Sequence, residues 1–514
     1  MNQRGADLVA RTLVLAGVRR VFTLSGNHIM SVFDAALDAG LELLHVRHEA
    51  ATVHMADAWG RLTGAPGIAL VTGGPGHANA VSALYTALAA ESPLVLLSGH
   101  APLDELGKGA FQEMAQAEMA APAAKAAWTV RSAATLGEDL ARAMRLARAG
   151  RPGPVHLSLP SDLLEGKVDA PLPAAADFLP EPHLSHDAQA LAIGAALDHL
   201  AAGKTPLLIA GPAMAGAPAR RLLAQLEDAT GVPCIVMESP RGVNDPSLGL
   251  LAEVLAKADS VVLAGKRRDF TLKFSQAFSP SARVLDADPV TEAWFAQAAR
   301  KGWAKGGWRD EARAAFAWRP VSWKTLASPA EGPLHPVEIG RAAQKLLDAA
   351  PSVLVCDGGE FGQWAQATLS APHRVINGIA GSIGSALPFA AAAKLAMPEA
   401  NVVAMLGDGT FGFHSSEFDT AVRGDIAFVA VVGNDSAWNA EHQIQLRAYG
   451  AARAHGCLLL PTRYDRVAAA FGAHGEHVAR PDELAPALER AMLAGRAACV
   501  DVLLQRLPAP TFKR

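Results

Sequence analysis

Two loops late in the chain combine oxygen ligands with glycine. The apolar run Val402–Leu406 leads into Gly407-Asp408-Gly409-Thr410. The apolar run Ile426–Val432 leads into Gly433-Asn434-Asp435-Ser436-Ala437. Both runs read as buried strands. Asp408 and Asn434 then stand just past two strand ends, where an open α/β sheet binds ligands. A carboxylate, a side-chain amide oxygen and a loop carbonyl suit a hard, six-coordinate Mg²⁺ holding phosphate oxygens. Gly407 and Gly409 allow close approach to the backbone. Either loop alone reads equally well as an ordinary turn; the pairing is what points to a site.

A second candidate is Glu49, in Arg47-His48-Glu49 after the run Leu41–Val46. It opens a helical stretch, where a carboxylate complements the helix dipole. A partly buried carboxyl there can also exchange protons near neutral pH. Glycine-rich segments follow three other apolar runs or helix starts: Gly73-Gly74-Pro75-Gly76-His77, Asp357-Gly358-Gly359-Glu360-Phe361 and Asn377 to Gly384. None is a dinucleotide fingerprint, since no G-x-G-x-x-G follows a strand with an acid about 20 residues on. A nicotinamide dehydrogenase is therefore a weak reading.

Gly407-Asp408-Gly409, the spacer and Asn434 resemble the thiamin-diphosphate motif of the acetolactate synthase and 2-oxo acid decarboxylase superfamily. The resemblance covers nearly the whole chain. It implies thiamin diphosphate and Mg²⁺ as cofactors, with Asp408, Asn434 and the Ser436 carbonyl as metal ligands and Asp435 as their neighbour. The family usually closes this motif with two asparagines, and the first is here Gly433. Glu49 matches the glutamate that bonds N1′ of the aminopyrimidine. Sharing its proton with that nitrogen favours the imino tautomer, which removes the C2 proton. Ile383 matches the apolar wedge that bends the cofactor and brings its amino group to C2. The Gly381 carbonyl and Ile383 amide, with Ser382 between them, would bond the pyrimidine edge. Glu360, Phe361, Gly407, Gly409 and Thr410 would lie along the diphosphate, and Gly74 and Asn79 would meet the cofactor from the first loop.

Ala110-Phe111-Gln112-Glu113 resembles the family's Ala-Phe-Gln-Glu. Gln112 would then face the reacting centre and Phe111 the substrate. Lys125 resembles a family lysine near that site, or is a solvated surface lysine. His77 is either a loop residue or part of the site. Asn27-His28-Ile29 resembles the loop of benzaldehyde lyase and the 2-hydroxyacyl-CoA lyases, which makes His28 a candidate acid or base on a substrate hydroxyl. True acetolactate synthases place a tryptophan near Ile444. It is absent, and Trp438 is the candidate wall of the pocket. The leading expectation is a carboligase or decarboxylase on 2-oxo acids. The alternatives are a C–C lyase acting on acyloins or acyl-CoA, and a non-catalytic cofactor-binding paralogue. Gly265-Lys266-Arg267-Arg268-Asp269-Phe270 gives no firm FAD signature, so FAD stays undecided.

These residues need a scaffold that places them at strand ends. Strand and helix signals alternate from residue 1 to 165, again over 186–320, and again over 330–510. That alternation predicts an α/β chain of three consecutive doubly wound parallel-sheet domains. By resemblance these are a pyrimidine-binding, a middle and a diphosphate/Mg-binding domain. A Pro- and Ala-rich stretch over 166–185, with Pro171, Pro173, Pro180 and Pro182, reads as a linker. Trp303 to Ser328 reads as a connecting helix and linker.

The 514 residues suffice for about three domains. Half are hydrophobic and 19% are charged, with a net charge of -4. That disfavours a nucleic-acid binder. Four scattered cysteines form no metal or disulfide framework. No apolar run approaches the ~20 residues of a membrane span. The N-terminal stretch has no extended apolar core or cleavage signal, so a cytoplasmic protein is expected. The resemblance adds a homodimer or dimer of dimers, with Glu49 and Asp408 meeting across an interface.

Overall fold

The computed structural model describes residues 3–180, 185–303, 306–348 and 351–513. Pro182 of the expected linker lies outside them. Three parallel sheets follow one another along the chain. The first has six strands: β1 (Arg20–Thr23), β2 (Glu42–His45), β3 (Gly67–Val71), β4 (Leu94–His100), β5 (Ala126–Thr129) and β6 (Pro154–Pro160). The second has four: β7 (Pro206–Ala210), β8 (Cys234–Val236), β9 (Ser260–Ala264) and β10 (Arg283–Ala287). The third has six: β11 (Ser352–Cys356), β12 (His373–Ile376), β13 (Asn401–Gly407), β14 (Val429–Asn434), β15 (His474–Val478) and β16 (Ala498–Leu503).

All strand pairs within these sheets are parallel. The order in the first sheet is β2-β1-β3-β4-β6-β5 and in the third β12-β11-β13-β14-β16-β15. The two orders are the same pattern, and the middle sheet, β8-β7-β9-β10, repeats its first four places. Inner strands are buried throughout and mostly apolar, as β3, β4 and β11 show, because helices cover both faces.

By packing, the described chain divides into two compact units. One holds the residues up to 180 together with Ala391–Ala396 and Ser416–Ile426; the other holds the rest, including the second and third sheets. Within the first unit, helix α1 (Glu49–Thr63) lies directly on its sheet. Gly67 permits this, since a Cβ there would stand 2.2 Å from the Ala56 carbonyl oxygen. Helix α2 (Pro75–Ala89) starts at Pro75, because Gly74 turns the chain and proline suits the first helical position. The stretch after residue 165 is partly tied down. Lys167–Val168 pairs antiparallel with Gln3–Arg4, and Phe178 packs into the first core. Residues Trp308–Ala317 form the connecting helix expected in the tryptophan-rich stretch.

The strands without a clear sequence signal are β5, β12 and β15. Each is an edge strand with a half-exposed face, so none shows a long apolar run. Among the described residues, no helix is long and apolar enough to cross a membrane.

Candidate functional site

Glu49 is the first residue of α1, and His48 caps that helix by accepting the Ala50 amide on Nδ1 at 3.1 Å. Glu49 Oε2 accepts from Asn79 Nδ2 at 3.0 Å. Its other oxygen faces Gly76, where a Cβ would be 3.5 Å away. Asn79 therefore meets Glu49 directly, beside any contact it makes to a ligand. The turn leading into Glu49 is held by Glu417, which heads a short helix, α3 (Glu417–Arg423), of the same compact unit. Its carboxylate accepts from the Arg47 amide at 3.1 and 3.4 Å and also bonds the His48 amide. Burial pushes Glu417 up to about 7, against the lowering effect of Thr420 and these amides. Arg423 donates to the His45 carbonyl at 2.7 Å. Sequence reading missed Glu417, because an acid at a helix start looks like any dipole complement.

The glycine loop is fixed from inside. Gly74 has φ +58, and a Cβ on it would stand 2.5 Å from the Gln112 carbonyl oxygen. Its amide donates to Gln116 Oε1 at 2.9 Å, while Gln116 Nε2 donates to the Gly99 carbonyl and Ser158 Oγ, both at 3.1 Å. Buried Gln116, four residues past Gln112, is thus the glutamine that holds this loop. Gln112 itself is half-buried with φ +56, a left-handed backbone that a non-glycine residue adopts at a cost of about 1 kcal/mol or more. Glu113 accepts the Gly109 and Ala110 amides at 3.0 Å and stiffens the same segment.

His28 is buried in a short turn, Asn27–Ile29, with Asn27 exposed. Its Nδ1 bonds Thr72 Oγ1 at 3.1 Å, and its ring stacks on that of Phe111 at 6.1 Å. Phe111 is 67% exposed. Burial lowers the His28 pKa, so the ring is neutral near pH 7. His77 takes neither a loop nor a site position. It is wholly buried, bonds Ser98 Oγ at 2.8 Å, and packs against His156 with ring centres 4.5 Å apart. Burial lowers it to about 4. Lys125 is exposed, and its place is at a helix end. Its ammonium donates to the Leu146 and Ala149 carbonyls at 2.6 Å, capping the end of the helix Leu136–Arg148.

In the other unit one cleft of about 190 Å³ gathers most of the remaining candidates. Glu360, Phe361, Gly381, Ile383, Gly407, Asp408, Gly409, Thr410 and Trp438 line it, together with Asp435. Ser382 does not; its carbonyl accepts from Asn377 Nδ2 at 3.0 Å. The Ile383 loop is clamped by Asp357, a buried carboxylate that accepts the amides of Gly358, Gly384 and Ala386 at 2.7, 2.9 and 3.0 Å. Burial still holds Asp357 at about 6. Glu360 accepts the Ala509 amide at 2.9 Å, and burial raises its pKa. Thr410 bonds the Gly407 carbonyl at 3.0 Å, and Trp438 covers Gly409, where a Cβ would strike its ring at 2.8 Å.

Asp408 begins the helix after β13. Its oxygens accept the Gly409 amide at 2.9 Å and the Ala437 amide at 3.3 Å. Burial pushes Asp408 up to about 6, and burial together with Asp408 pushes Asp435 up to about 7. Asn434 ends β14 and turns its nitrogen away, to the Thr462 carbonyl and Asp501. The Ser436 carbonyl accepts the Leu459 amide at 2.8 Å and, at 3.5 Å, the Arg506 guanidinium. This donor set fits a hard divalent cation: two crowded carboxylates, an amide oxygen and a carbonyl. The missing asparagine also has a physical reason. A Cβ at Gly433 would stand 2.5 Å from the Phe361 ring, so the ring takes the space that a side chain would need.

Two like-ordered parallel sheets, one presenting a carboxylate beside a glycine loop and the other a cleft at its strand ends, are the framework of an α/β protein that binds a ligand at strand ends. Residues 3–119 match the N-terminal TPP binding domain of thiamine pyrophosphate enzymes, and residues 357–502 match the C-terminal TPP binding domain. The acetolactate synthase large subunit IlvG of Mycobacterium tuberculosis is 33% identical over 525 residues, 96% of this chain and 95% of that protein. Human 2-hydroxyacyl-CoA lyase 2 is 31% identical over 548 residues, 94% and 86% of the respective chains. A probable acetolactate synthase large subunit of Methanocaldococcus jannaschii is 27% identical, covering 98% and 92%. The chain belongs to the thiamine pyrophosphate enzyme family. It is a thiamine-pyrophosphate-dependent enzyme related to acetolactate synthase and 2-hydroxyacyl-CoA lyase.

Gly433→Asn restores the family's usual residue but drives it into Phe361. It should lower stability by about 1–3 kcal/mol in chemical denaturation. Adding Phe361→Ala should recover part of that loss, because the clash is with the ring.

Proposed function

We propose that the enzyme is an acetolactate-synthase-like carboligase or decarboxylase acting on 2-oxo acids, with thiamin diphosphate and Mg²⁺ as cofactors. The observation that carries this reading is the near-full-length similarity to proteins named acetolactate synthase, with Asp408 and Asn434 at adjacent strand ends. Residues 1–165 are assigned to pyrimidine binding, 186–320 to a middle domain and 330–510 to the diphosphate and Mg²⁺. Asp408, Asn434 and the Ser436 carbonyl would hold the metal. Glu360, Phe361, Gly407, Gly409 and Thr410 would lie along the diphosphate. Gly381, Ser382 and Ile383 would seat the pyrimidine, with Gly74 and Asn79 completing its surround. The middle sheet supplies no residue to this reading, and a role for FAD is not part of it.

When bound, thiamin diphosphate supplies an electron sink for breaking a bond at a carbonyl carbon. The chain's own residues do the rest. Glu49 takes and returns a proton at the pyrimidine, with Asn79 fixing one of its oxygens. Ile383, whose loop is clamped through Asp357, would press its apolar side chain against the bound cofactor. His28, neutral and held by Thr72, exchanges a proton at a substrate oxygen. Gln112 would face the reacting centre, and Asn27 and Phe111 in one unit and Trp438 in the other would each contact the substrate.

A second reading is a C–C lyase of acyloins or 2-hydroxyacyl-CoA. Two observations favour it: the Asn27-His28-Ile29 turn, and the similarity to human 2-hydroxyacyl-CoA lyase 2. A small-molecule substrate in the cytoplasm fits both readings. Family resemblance supports at least a homodimer, or a dimer of dimers, with two chains completing each site. An active monomer in sedimentation would contradict that.

Reconstituted enzyme should release CO₂ from pyruvate or another 2-oxo acid. Turnover only of acyloins or acyl-CoA thioesters would instead establish the lyase reading. Glu49→Gln should keep the fold, since the amide still accepts from Asn79, yet lose most of kcat, on the order of 10²-fold or more. Near-native kcat in that variant would remove Glu49 from the chemistry.

A further inference from the structure

Behind the candidate cation loop lies a buried polar chain that the reading above leaves without a role. Asn434 Nδ2 donates to the Thr462 carbonyl at 2.9 Å and to Asp501 Oδ1 at 3.0 Å. Asp501 lies on β16, in register with Val432 of β14 on one side and His477 of β15 on the other. It is wholly buried, 0% exposed. Its second oxygen bonds His477 Nδ1 at 3.0 Å. Asp465 stands beside them, with both its oxygens on the Arg463 guanidinium at 2.8 and 2.7 Å.

The ligand atoms of Asp465, His477 and Asp501 lie within 4.8 Å of one another, which by composition looks like a cation site. The hydrogen bonds argue otherwise. The Asp465 carboxylate faces Arg463, His477 Nδ1 is shared with Asp501, and Asp501 Oδ1 is used by Asn434. A cation here would have to displace a guanidinium and a ring proton.

The consequence falls on Asn434. A side-chain amide offers an oxygen at one end and two N–H donors at the other, and the ends have nearly the same outline. The Thr462 carbonyl and an ionised Asp501 only accept. Both lie at one end of the Asn434 amide, so that end must be the nitrogen. The oxygen is then fixed at the opposite end, where Ser436 Oγ donates at 3.3 Å. That end belongs to the loop whose Ala437 amide binds Asp408. Half a turn about the last side-chain bond would present N–H groups to a cation instead, and repel it.

We propose that Asp501, held in place by His477, is a positioning residue that commits the Asn434 amide oxygen to the Mg²⁺ loop. The proposal rests on the reading of Asn434 as a metal ligand. Outer partners of this kind orient ligands elsewhere in proteins, and their loss costs about 10- to 100-fold in metal affinity. His477 adds a second constraint: by engaging the far oxygen, it stops the Asp501 carboxylate from rotating away.

The test is Mn²⁺ titration, followed by the loss of the free-ion electron paramagnetic resonance signal. The full chain is used, with saturating thiamin diphosphate. Asp501→Val keeps side-chain volume and suits a buried strand. Its Mn²⁺ dissociation constant should rise about ten-fold or more. Asp501→Asn keeps an oxygen for Asn434 and a donor for His477, and should stay within about three-fold of native. A merely structural role would not separate these two variants in metal affinity. His477→Ala is the second arm, at a partly exposed position on an edge strand that tolerates change. It should weaken Mn²⁺ by about three-fold or more even if the valine variant fails to fold. Asn434→Ala distinguishes the two ways of failing. If it binds Mn²⁺ as tightly as native, Asn434 is no ligand and the underlying reading falls together with this proposal. If it binds weakly while the folded Asp501 and His477 variants bind like native, the positioning role alone is overturned.

Discussion

The Asp357 carboxylate, buried at the end of β11, accepts three backbone amides from two loops. Without it, the Ile383 segment would carry unpaired N–H groups into the interior, each costing about 1–3 kcal/mol. The same device recurs wherever an irregular loop has to hold a shape. Asp408 takes the amides of Gly409 and Ala437, Glu417 those of Arg47 and His48, and Glu113 those of Gly109 and Ala110. Loops at the carboxyl ends of parallel strands have no ladder partner for these groups. Acids replace the ladder, and the buried ones remain tolerable because each is hydrogen-bonded. Burial raises Asp357, Asp408 and Glu417 toward neutrality, which marks how far they are removed from water.

Much of the fold was legible because buried parallel strands are apolar on both faces. The runs ending at Asp408 and Asn434 stand out for that reason, and so does the run ending at Asp357. The edge strands β5, β12 and β15 did not, since half of each faces outward. The site was legible where one segment carries its own signal, as Gly407-Asp408-Gly409 does. It was illegible where a residue acts through a distant partner. Glu417 and Asp501 look ordinary in sequence, and only the fold shows what accepts from or donates to them. His77 and Lys125 show the other direction. Their neighbours in sequence suggested chemistry, but His77 fills core beside His156 and Lys125 caps a helix.

The shared strand order of the first and third sheets gives the two TPP-binding regions equivalent scaffolds with opposite equipment. After the third strand of its sheet, the first carries Gly74 and a proline-started helix; the third carries Asp408 at a helix start. One position in a common plan thus serves a glycine loop in one copy and a carboxylate in the other. Gly433 and Phe361 show how local the adjustment can be: a ring has taken the volume of a missing side chain, and the strand around it is unchanged.

The Glu417 clasp also bears on how the chain is made. The acceptor for the Arg47 amide lies 370 residues further along the chain. During synthesis, domains generally fold as they emerge, the N-terminal one first. The first sheet can therefore pair and pack long before Glu417 leaves the ribosome, with the turn that presents Glu49 still lacking its acceptor. That turn is the last part of the first unit to be completed, and a fragment ending at residue 180 would never complete it. The turn before Glu49 is therefore complete only once the chain has been made past Glu417.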